Sequence, residues 1–265
     1  QGEAFAGAAA NGNDPSCLFF NPAALSELEG TQAAVAGHMI APEFTFENEG
    51  SSYPLLGLPL AGDDGGNGGE LALVPNLYLS HAMSDACTVG LGIFAPFGLE
   101  TKYDDGWIGR YHAIRTKLTT MNINPSIAYR VNDRLSLGAG VSAQYIEAEL
   151  TQSLGLGTVL AARGIPGAAP QALDGFGKLE GDDWGFGFNA GLLYRYNERG
   201  KIGLQYRSPV DNTLEGDATF RVPAAAAGLQ AMGLFVDTSA EADVELPETV
   251  SLSVVQPIGE AWALL

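Results

Sequence analysis

Positive charge is scarce in this chain. It carries 13 Lys and Arg against 31 Asp and Glu, a net charge of −18. A nucleic-acid partner requires a basic face to meet phosphates, so none is expected. Cysteine is nearly absent as well. Cys17 and Cys87 form no Cys-x-x-Cys pair and stand in no Cys/His metal spacing, so no metal centre is expected. In an oxidising compartment the two thiols can form a bridge; otherwise they are free and buried. Long apolar runs are also missing. No stretch of about 18 apolar residues exists to form a transmembrane helix. Catalytic signatures are lacking too: His38, His81 and His112 fall at different depths, and neither a Gly-x-Ser-x-Gly elbow nor a phosphate loop occurs. No catalytic residue and no cofactor is expected, and the chain does not read as an enzyme.

Glycine and alternation are abundant. The chain holds 35 Gly and 46% hydrophobic residues, yet only 17% charged ones. In the stretch from Met121 to Val131 the odd positions are apolar, and the even ones are Asn, Asn, Ser, Ala and Arg. Side chains on a strand point to opposite faces in turn, so one face is greasy and the other polar. The same alternation runs through Leu135–Tyr145, Trp184–Tyr194, Ile202–Arg207 and Leu246–Val254. Gly90, Gly92, Gly185 and Gly187 fall on the polar face, where they permit close packing rather than form dinucleotide turns.

The joints between these stretches alternate in length. Short ones lie at Ser84-Asp85, Asn132-Asp133, Asn197 to Gly200 and Pro257 to Gly259; long ones span about 49–70, 95–117, 151–182 and 215–242. Tight turns at one end and long loops at the other are the plan of an outer-membrane β-barrel. Eight strands are expected, at about 32–47, 71–83, 86–97, 117–131, 134–150, 183–196, 200–214 and 243–256, with a ninth starting near Glu260. Trp184 and Tyr194 have the spacing of two interfacial aromatic girdles, although a β-sandwich core has a similar look. Most acids gather in the long joints, among them Asp63, Asp64, Asp104, Asp105, Asp182, Asp183 and Glu241. They read as solvated loop tips, with divalent bridging to lipopolysaccharide a minor alternative. The chain starts without Met or a signal peptide and stops inside an apolar run. It therefore reads as a mature or trimmed segment, with a barrel incomplete at its C-terminal side.

Residues 1–30 break the pattern. An Ala-rich opening is followed by turn residues Asn11 to Pro15 and then by Leu18 to Leu25. Asn21 suits an N-cap and Pro22 a first helical residue, with a helix expected through about Leu28 and a stop at Gly30. Phe19, Phe20 and Leu25 would be wasted on a solvated tail, so the segment reads as a plug inside the barrel.

Here the chain resembles a known family. Ala4 to Ala10, then Phe20-Asn21-Pro22-Ala23, Ala95 to Leu99, Ile123 to Ser126, Leu137 to Gly140, Gly203 to Ser208 and Leu246-Pro247 follow, in order, islands of the FadL-like outer-membrane transporters. The resemblance implies a fourteen-stranded antiparallel barrel, of which about eight to nine strands are present, with an N-terminal helical hatch inside. Residues 1–30 would be the hatch and 31–265 the barrel. It implies passive uptake of long-chain fatty acids or aromatic hydrocarbons through a loop groove, an internal pocket, hatch movement and a lateral exit at a kinked third strand. Phe19, Phe20, Asn21, Pro22 and Ala23 match the hatch motif, where a hinge and an ordinary capped helix are both admissible. Pro96, Phe97 and Gly98 fall at the kink; Pro cannot donate to a ladder, so this is a lateral gate or simply a strand end. The groove falls on Tyr103, Trp107, Ile108, Arg110 and Tyr111, which an aromatic belt with Lys102, Arg115 and Lys117 as interfacial cations would also explain. Arg130, Arg195 and Arg207 take lumen positions, facing hatch carboxylates or a ligand head group. The expected partners are a hydrophobic small molecule, outer-membrane lipid and lipopolysaccharide, and detergent in a purified sample, around a monomer. A general porin is the alternative. A lipid hydrolase lacks a Ser/His pair, and a soluble sandwich lacks a reason for the sorted loops.

Overall fold

Polar residues face inward and apolar residues outward in this protein. Along Arg115–Arg130 the side chains of Asn122, Asn124, Ser126 and Ala128 are buried, while Met121, Ile127 and Tyr129 are exposed. A water-soluble sheet would bury the other face. Val35, Val141, Phe186, Phe188, Val250 and Leu252 continue the exposed apolar face on neighbouring strands. A contiguous greasy surface of this extent suits lipid rather than water.

The computed structural model describes residues 5–52, 59–258 and 262–264. Ala4 of the first resemblance island, Gly259 of the last short joint and the expected ninth-strand start at Glu260 lie outside them. The strands are β1 (Thr31–Ile40), β2 (Ala72–Ala82), β3 (Cys87–Phe94), β4 (Gly98–Lys102), β5 (Arg115–Arg130), β6 (Leu135–Gly155), β7 (Asp174–Arg195), β8 (Lys201–Arg207), β9 (Val210–Arg221), β10 (Thr238–Leu246), β11 (Thr249–Ile258) and β12 (Trp262–Leu264). All pair antiparallel in one sheet, β1-β2-β3-β5-β6-β7-β8-β11-β12. β4 extends β3 along β5, β9 extends β8 along β7, and β10 runs ahead of β11 along β9. The twelve segments therefore make nine passes, and the sheet has the meander order that short turns impose.

Strand ends differ from the sequence expectation on the long-loop side. β6 and β7 pair without interruption from Leu135↔Tyr194 to Gly155↔Asp174, so 151–155 and 174–182 are strand, not loop. β9 and β10 likewise claim the two ends of 215–242, at 215–221 and 238–242. These extensions are rich in Gly and acid, which lowers their strand signal; cross-strand hydrogen bonding overrides it. The first strand is shorter than expected and ends at Ile40. Trp184 and Tyr194 are both outward on β7, and Tyr145 packs against Trp184 at 5.4 Å. Ten residues of strand rise about 33 Å, or about 25 Å across a bilayer at the usual tilt, which matches the apolar band of such sheets.

The plug occupies the inner face near the short-turn end. It consists of a 3₁₀ turn Ala8–Ala10, helix α1 (Cys17–Phe20) and a 3₁₀ helix Pro22–Glu27. The single helix expected from Pro22 to Leu28 is thus a tighter 3₁₀ segment ending one residue sooner, with α1 before it. Leu18, Leu25 and Leu28 are buried with Tyr78, Phe94 and Ala128 of the sheet. On the opposite side, helices α2 (Leu156–Ala162) and α3 (Ala227–Ala231) bring Leu154, Leu156, Ala226 and Leu229 into a separate apolar cluster between loops.

Candidate functional site

Asn21 is the pivot of the plug. Its side-chain oxygen accepts from the Ala23 amide at 3.0 Å, capping the 3₁₀ helix as the sequence suggests. Its Nδ2 donates to the Ala9 carbonyl at 2.6 Å and to the Leu192 carbonyl of β7 at 3.0 Å. The fully buried amide therefore ties two plug turns to the wall, and the capping reading and the joint reading meet in one residue.

The wall is shaped to receive it. A Cβ on Gly191 would lie 2.0 Å from Asn21 Oδ1, one on Gly138 2.2 Å from the Ala23 amide nitrogen, and one on Gly203 1.9 Å from the Ala9 oxygen. Gly138 and Gly191 are register partners on β6 and β7. Lumen glycines thus form a seat for plug backbone. Gly90 takes Leu18 and Leu25 in the same way.

Charge fastens the rim. Glu27 is paired with Arg195 at 2.7 Å and Lys201 at 2.6 Å. Arg130 donates to the Ser26 carbonyl, and Arg207 to the Phe19 carbonyl at 3.2 Å. Of the three expected lumen arginines, only Arg195 meets a plug carboxylate; the other two hold plug carbonyls. The roles of Lys201 and Glu27 are not separable in sequence from those of other surface charges. Cys17 and Cys87 are both free. Burial within the plug pushes the Cys17 thiol up, which keeps it protonated.

The third pass carries a one-residue bulge. Phe94 opposes Asn122 and Gly98 opposes Thr119, so four steps on one strand face three on the other. Thr120, almost fully buried, pins the bulge: its hydroxyl accepts from the Phe97 amide at 3.0 Å and donates to the Phe97 carbonyl at 2.6 Å. Toward β2 the ladder stops at Leu77↔Ile93 and resumes only at Gly69↔Thr101. Residues 70–76 and 94–100 therefore face each other without ladder bonds among the described residues. Phe94 lines this gap from within, stacked on Tyr78 and meeting Phe19 of the plug edge-on at 5.0 Å. Phe20 packs on Phe19 and Phe5.

The loop 103–114 is held together by its own aromatics. Trp107 stacks on Tyr103 at 4.1 Å, donates to the Ala113 carbonyl at 2.9 Å and is buried, as is Ile108. The glycines of 62–69 pack on this pair: a Cβ on Gly65 would lie 2.7 Å from the Trp107 Cβ and one on Gly68 2.5 Å from Tyr103. The Gly-rich stretch is thus an ordered cover. Arg110 donates to Asp174 at 3.0 Å and to the Ala61 carbonyl at 2.9 Å, and Tyr111 donates to Asp174. Burial works against the Arg110 charge, but Asp174 and Tyr111 outweigh it and hold the guanidinium above its ordinary value. These side chains face one another, with Tyr103 and Tyr111 only half-buried. Arg115 lies outside the cluster, joined to Glu100 at 2.6 Å and Glu149 at 3.0 Å.

An apolar-outside antiparallel sheet with a short N-terminal helical segment seated on its polar inner face defines an outer-membrane β-barrel protein. The profile of the family described as outer membrane protein transport protein (OMPP1/FadL/TodX) matches residues 1–265, and the chain belongs to that family. It is 34% identical to the 47 kDa outer membrane protein of Pasteurella multocida over 265 residues, covering 99% of this chain and 58% of that protein. It is 29% identical to the long-chain fatty acid transport protein of Salmonella typhi, covering 99% and 61%. The crystal structure of a Pseudomonas aeruginosa FadL homologue superposes with a TM-score of 0.86 at 26% identity, covering 97% of this chain and 64% of that one. The chain spans about three fifths of the length of these relatives.

Proposed function

We propose that the protein takes up hydrophobic compounds passively, long-chain fatty acids or aromatic hydrocarbons, by hatch movement and lateral exit beside the third pass. The observation that carries this reading is the unbonded stretch between 70–76 and 94–100, lined by Phe94 in contact with hatch residue Phe19. Unpaired backbone at membrane depth is tolerated where it lines a cavity or passage. A molecule leaving there would enter the membrane plane without crossing the hatch. In the same reading, Phe19 to Ala23 form the moving joint and Pro96, Phe97 and Gly98 the gate. Tyr103, Trp107, Ile108, Arg110 and Tyr111, with the apolar cluster around Leu156 and Leu229, supply the walls of the outer groove. The protein works as a monomer among outer-membrane lipid and lipopolysaccharide. A general porin, the alternative, has the seated hatch against it.

The test is uptake by the full-length protein in a transporter-null strain, with oleate and toluene in parallel. Accumulation of either above the empty-vector rate is expected. Accumulation of neither, with the protein folded in the outer membrane, sinks the reading.

A further inference from the structure

The scarce positive charge of this chain is unevenly placed. Lys102, Arg115, Lys117 and Lys178, four of its 13 Lys and Arg, share one patch of wall. The patch faces outward. Tyr145 and Trp184 are register partners on the lipid side, at the end of the apolar band nearer the long loops. Side chains an even number of steps along the same strands point to the same face. Four steps beyond that aromatic pair runs a row of Glu100, Lys117, Glu149 and Glu180 across β4, β5, β6 and β7. Two steps further runs the row of Lys102, Arg115, Thr151 and Lys178. At the usual strand rise and tilt, the two rows stand about 10 and 15 Å outside the aromatic pair along the membrane normal. That is the level of the outer-leaflet head groups.

The register sets cations against each other. Lys102 is directly opposite Arg115, and like charges directly opposite destabilise a sheet. The nearby carboxylates do not relieve this pair. Glu100 and Glu149 both turn to Arg115, at 2.6 and 3.0 Å. Glu149 and Glu180 also hold Lys178, at 3.4 and 2.6 Å. Lys117 lies between Glu100 and Glu149 in register, yet neither carboxylate turns to it. Lys102 and Lys117 therefore have no ion pair among the described residues. Arg115 commits Nε, Nη1 and Nη2 to carboxylates through three of the five N–H donors of a guanidinium, and two remain. Neighbouring strands are about 4.8 Å apart and two residues rise about 6.6 Å, so Lys102, Arg115 and Lys117 bracket a space the size of one phosphate group.

We propose that Lys102, Arg115 and Lys117, flanked by Lys178, bind a phosphate on the sugar head group of lipopolysaccharide. Charge and height both select this occupant. Phosphate oxygens suit a guanidinium fork with two ammonium groups beside it. An outward patch at head-group level meets outer-leaflet lipid before any other anion. The site rests on the outer-membrane placement and not on uptake. The row nearest the aromatic pair is acidic, with Glu147, Asp182, Glu215 and Glu241 in register. Cation bridging through that row is the rival outcome.

Equilibrium binding of phosphorylated rough lipopolysaccharide and of its dephosphorylated form tests the proposal, with purified full-length protein in non-ionic detergent and EDTA. Wild type should bind the phosphorylated form at least tenfold tighter. The double variant Lys102→Gln/Lys117→Gln should lose most of that preference and leave the dephosphorylated form within twofold. Arg115→Gln should weaken the phosphorylated form severalfold; if it does not fold without its two carboxylate pairs, the double variant carries the comparison. Arg134→Gln, at a short turn on the opposite side of the membrane, should change neither. No preference in wild type, or one that appears only when magnesium replaces EDTA, overturns the proposal. So does a preference that survives the double variant, or one that Arg134→Gln lowers equally. Each of these failures leaves the uptake reading standing, because transport is not what is measured.

Discussion

Asn21 concentrates three hydrogen bonds in one buried amide, so its removal has a calculable signature. Asn21→Ala strands two carbonyls and a helix-start amide, at a cost of about 1–3 kcal/mol for groups left unpaired inside the protein. The strand ladder does not depend on this residue, so the loss falls on seating of the N-terminal segment. Cys17 reports it: a buried thiol held protonated reacts slowly with maleimide, and hatch release exposes it. Labelling of Cys17 should accelerate severalfold in Asn21→Ala. An unchanged rate would mean that Asn21 does not hold the hatch. Gly191→Ala makes the complementary change from the wall, where a methyl 2.0 Å from Asn21 Oδ1 forces the hatch outward by about 1–3 kcal/mol of overpacking. Gly37→Ala, whose methyl meets only Leu73 at 3.7 Å, is its silent control. Asn21 was visible in the sequence as a cap. The glycines facing it were visible only as polar-face glycines, because nothing local distinguishes a seat from a strand's empty position.

At the scale of elements, the third pass is where the ladder fails. The bulge between Phe94 and Gly98 and its clamp Thr120 keep β4 on β5 while its other edge loses β2. Replacing Pro96 with a residue that carries a backbone N–H leaves the register toward β2, eight steps on each side between Leu77↔Ile93 and Gly69↔Thr101, unchanged; Pro96→Val should thereby let the 70–76 edge bond to this pass. Uptake of the wild-type substrate should then fall at least tenfold, with folding judged by heat-dependent gel mobility. Retained uptake in folded Pro96→Val would place the exit elsewhere. Thr120→Val keeps the size and removes both hydrogen bonds, and should weaken the bulge without abolishing the strand. The Pro-Phe-Gly break was legible as a strand interruption. Its partner Thr120 was not, because a Thr on a strand is an ordinary strand residue until the opposing backbone is known. The loop aromatics show the same limit. Tyr103 and Trp107 announced an apolar loop, but not that the Gly-rich 62–69 segment would fold over them.

The whole molecule is an inside-out sheet, and its solvent can be tested by charge. Val141 opposes Phe188 near the middle of the apolar band, outward and 61% exposed. Val141→Arg should destabilise folding into bilayers by about 2–4 kcal/mol, the cost of a cation at the midplane of a barrel's lipid face. Ser251→Arg, at a half-buried lumen-facing position between the outward Val250 and Leu252, should be accommodated in the polar interior and spare the membrane term. Chemical denaturation in lipid vesicles checks both. Equal costs would mean that the faces are misassigned.

Alternation by itself determined the faces, the meander and the outer-membrane character, because period two and turn length are local properties of a strand and its joints. The N-terminal segment was legible as a break in that pattern, and Asn21 as its cap. The tertiary structure alone decided where the N-terminal segment sits, which glycines make room for it, and why Arg195 meets Glu27 while Arg207 meets a carbonyl. Those facts depend on which residues of distant strands share a row. Row positions follow from accumulated register and from bulges such as the one at Phe94–Gly98, and no single segment contains them.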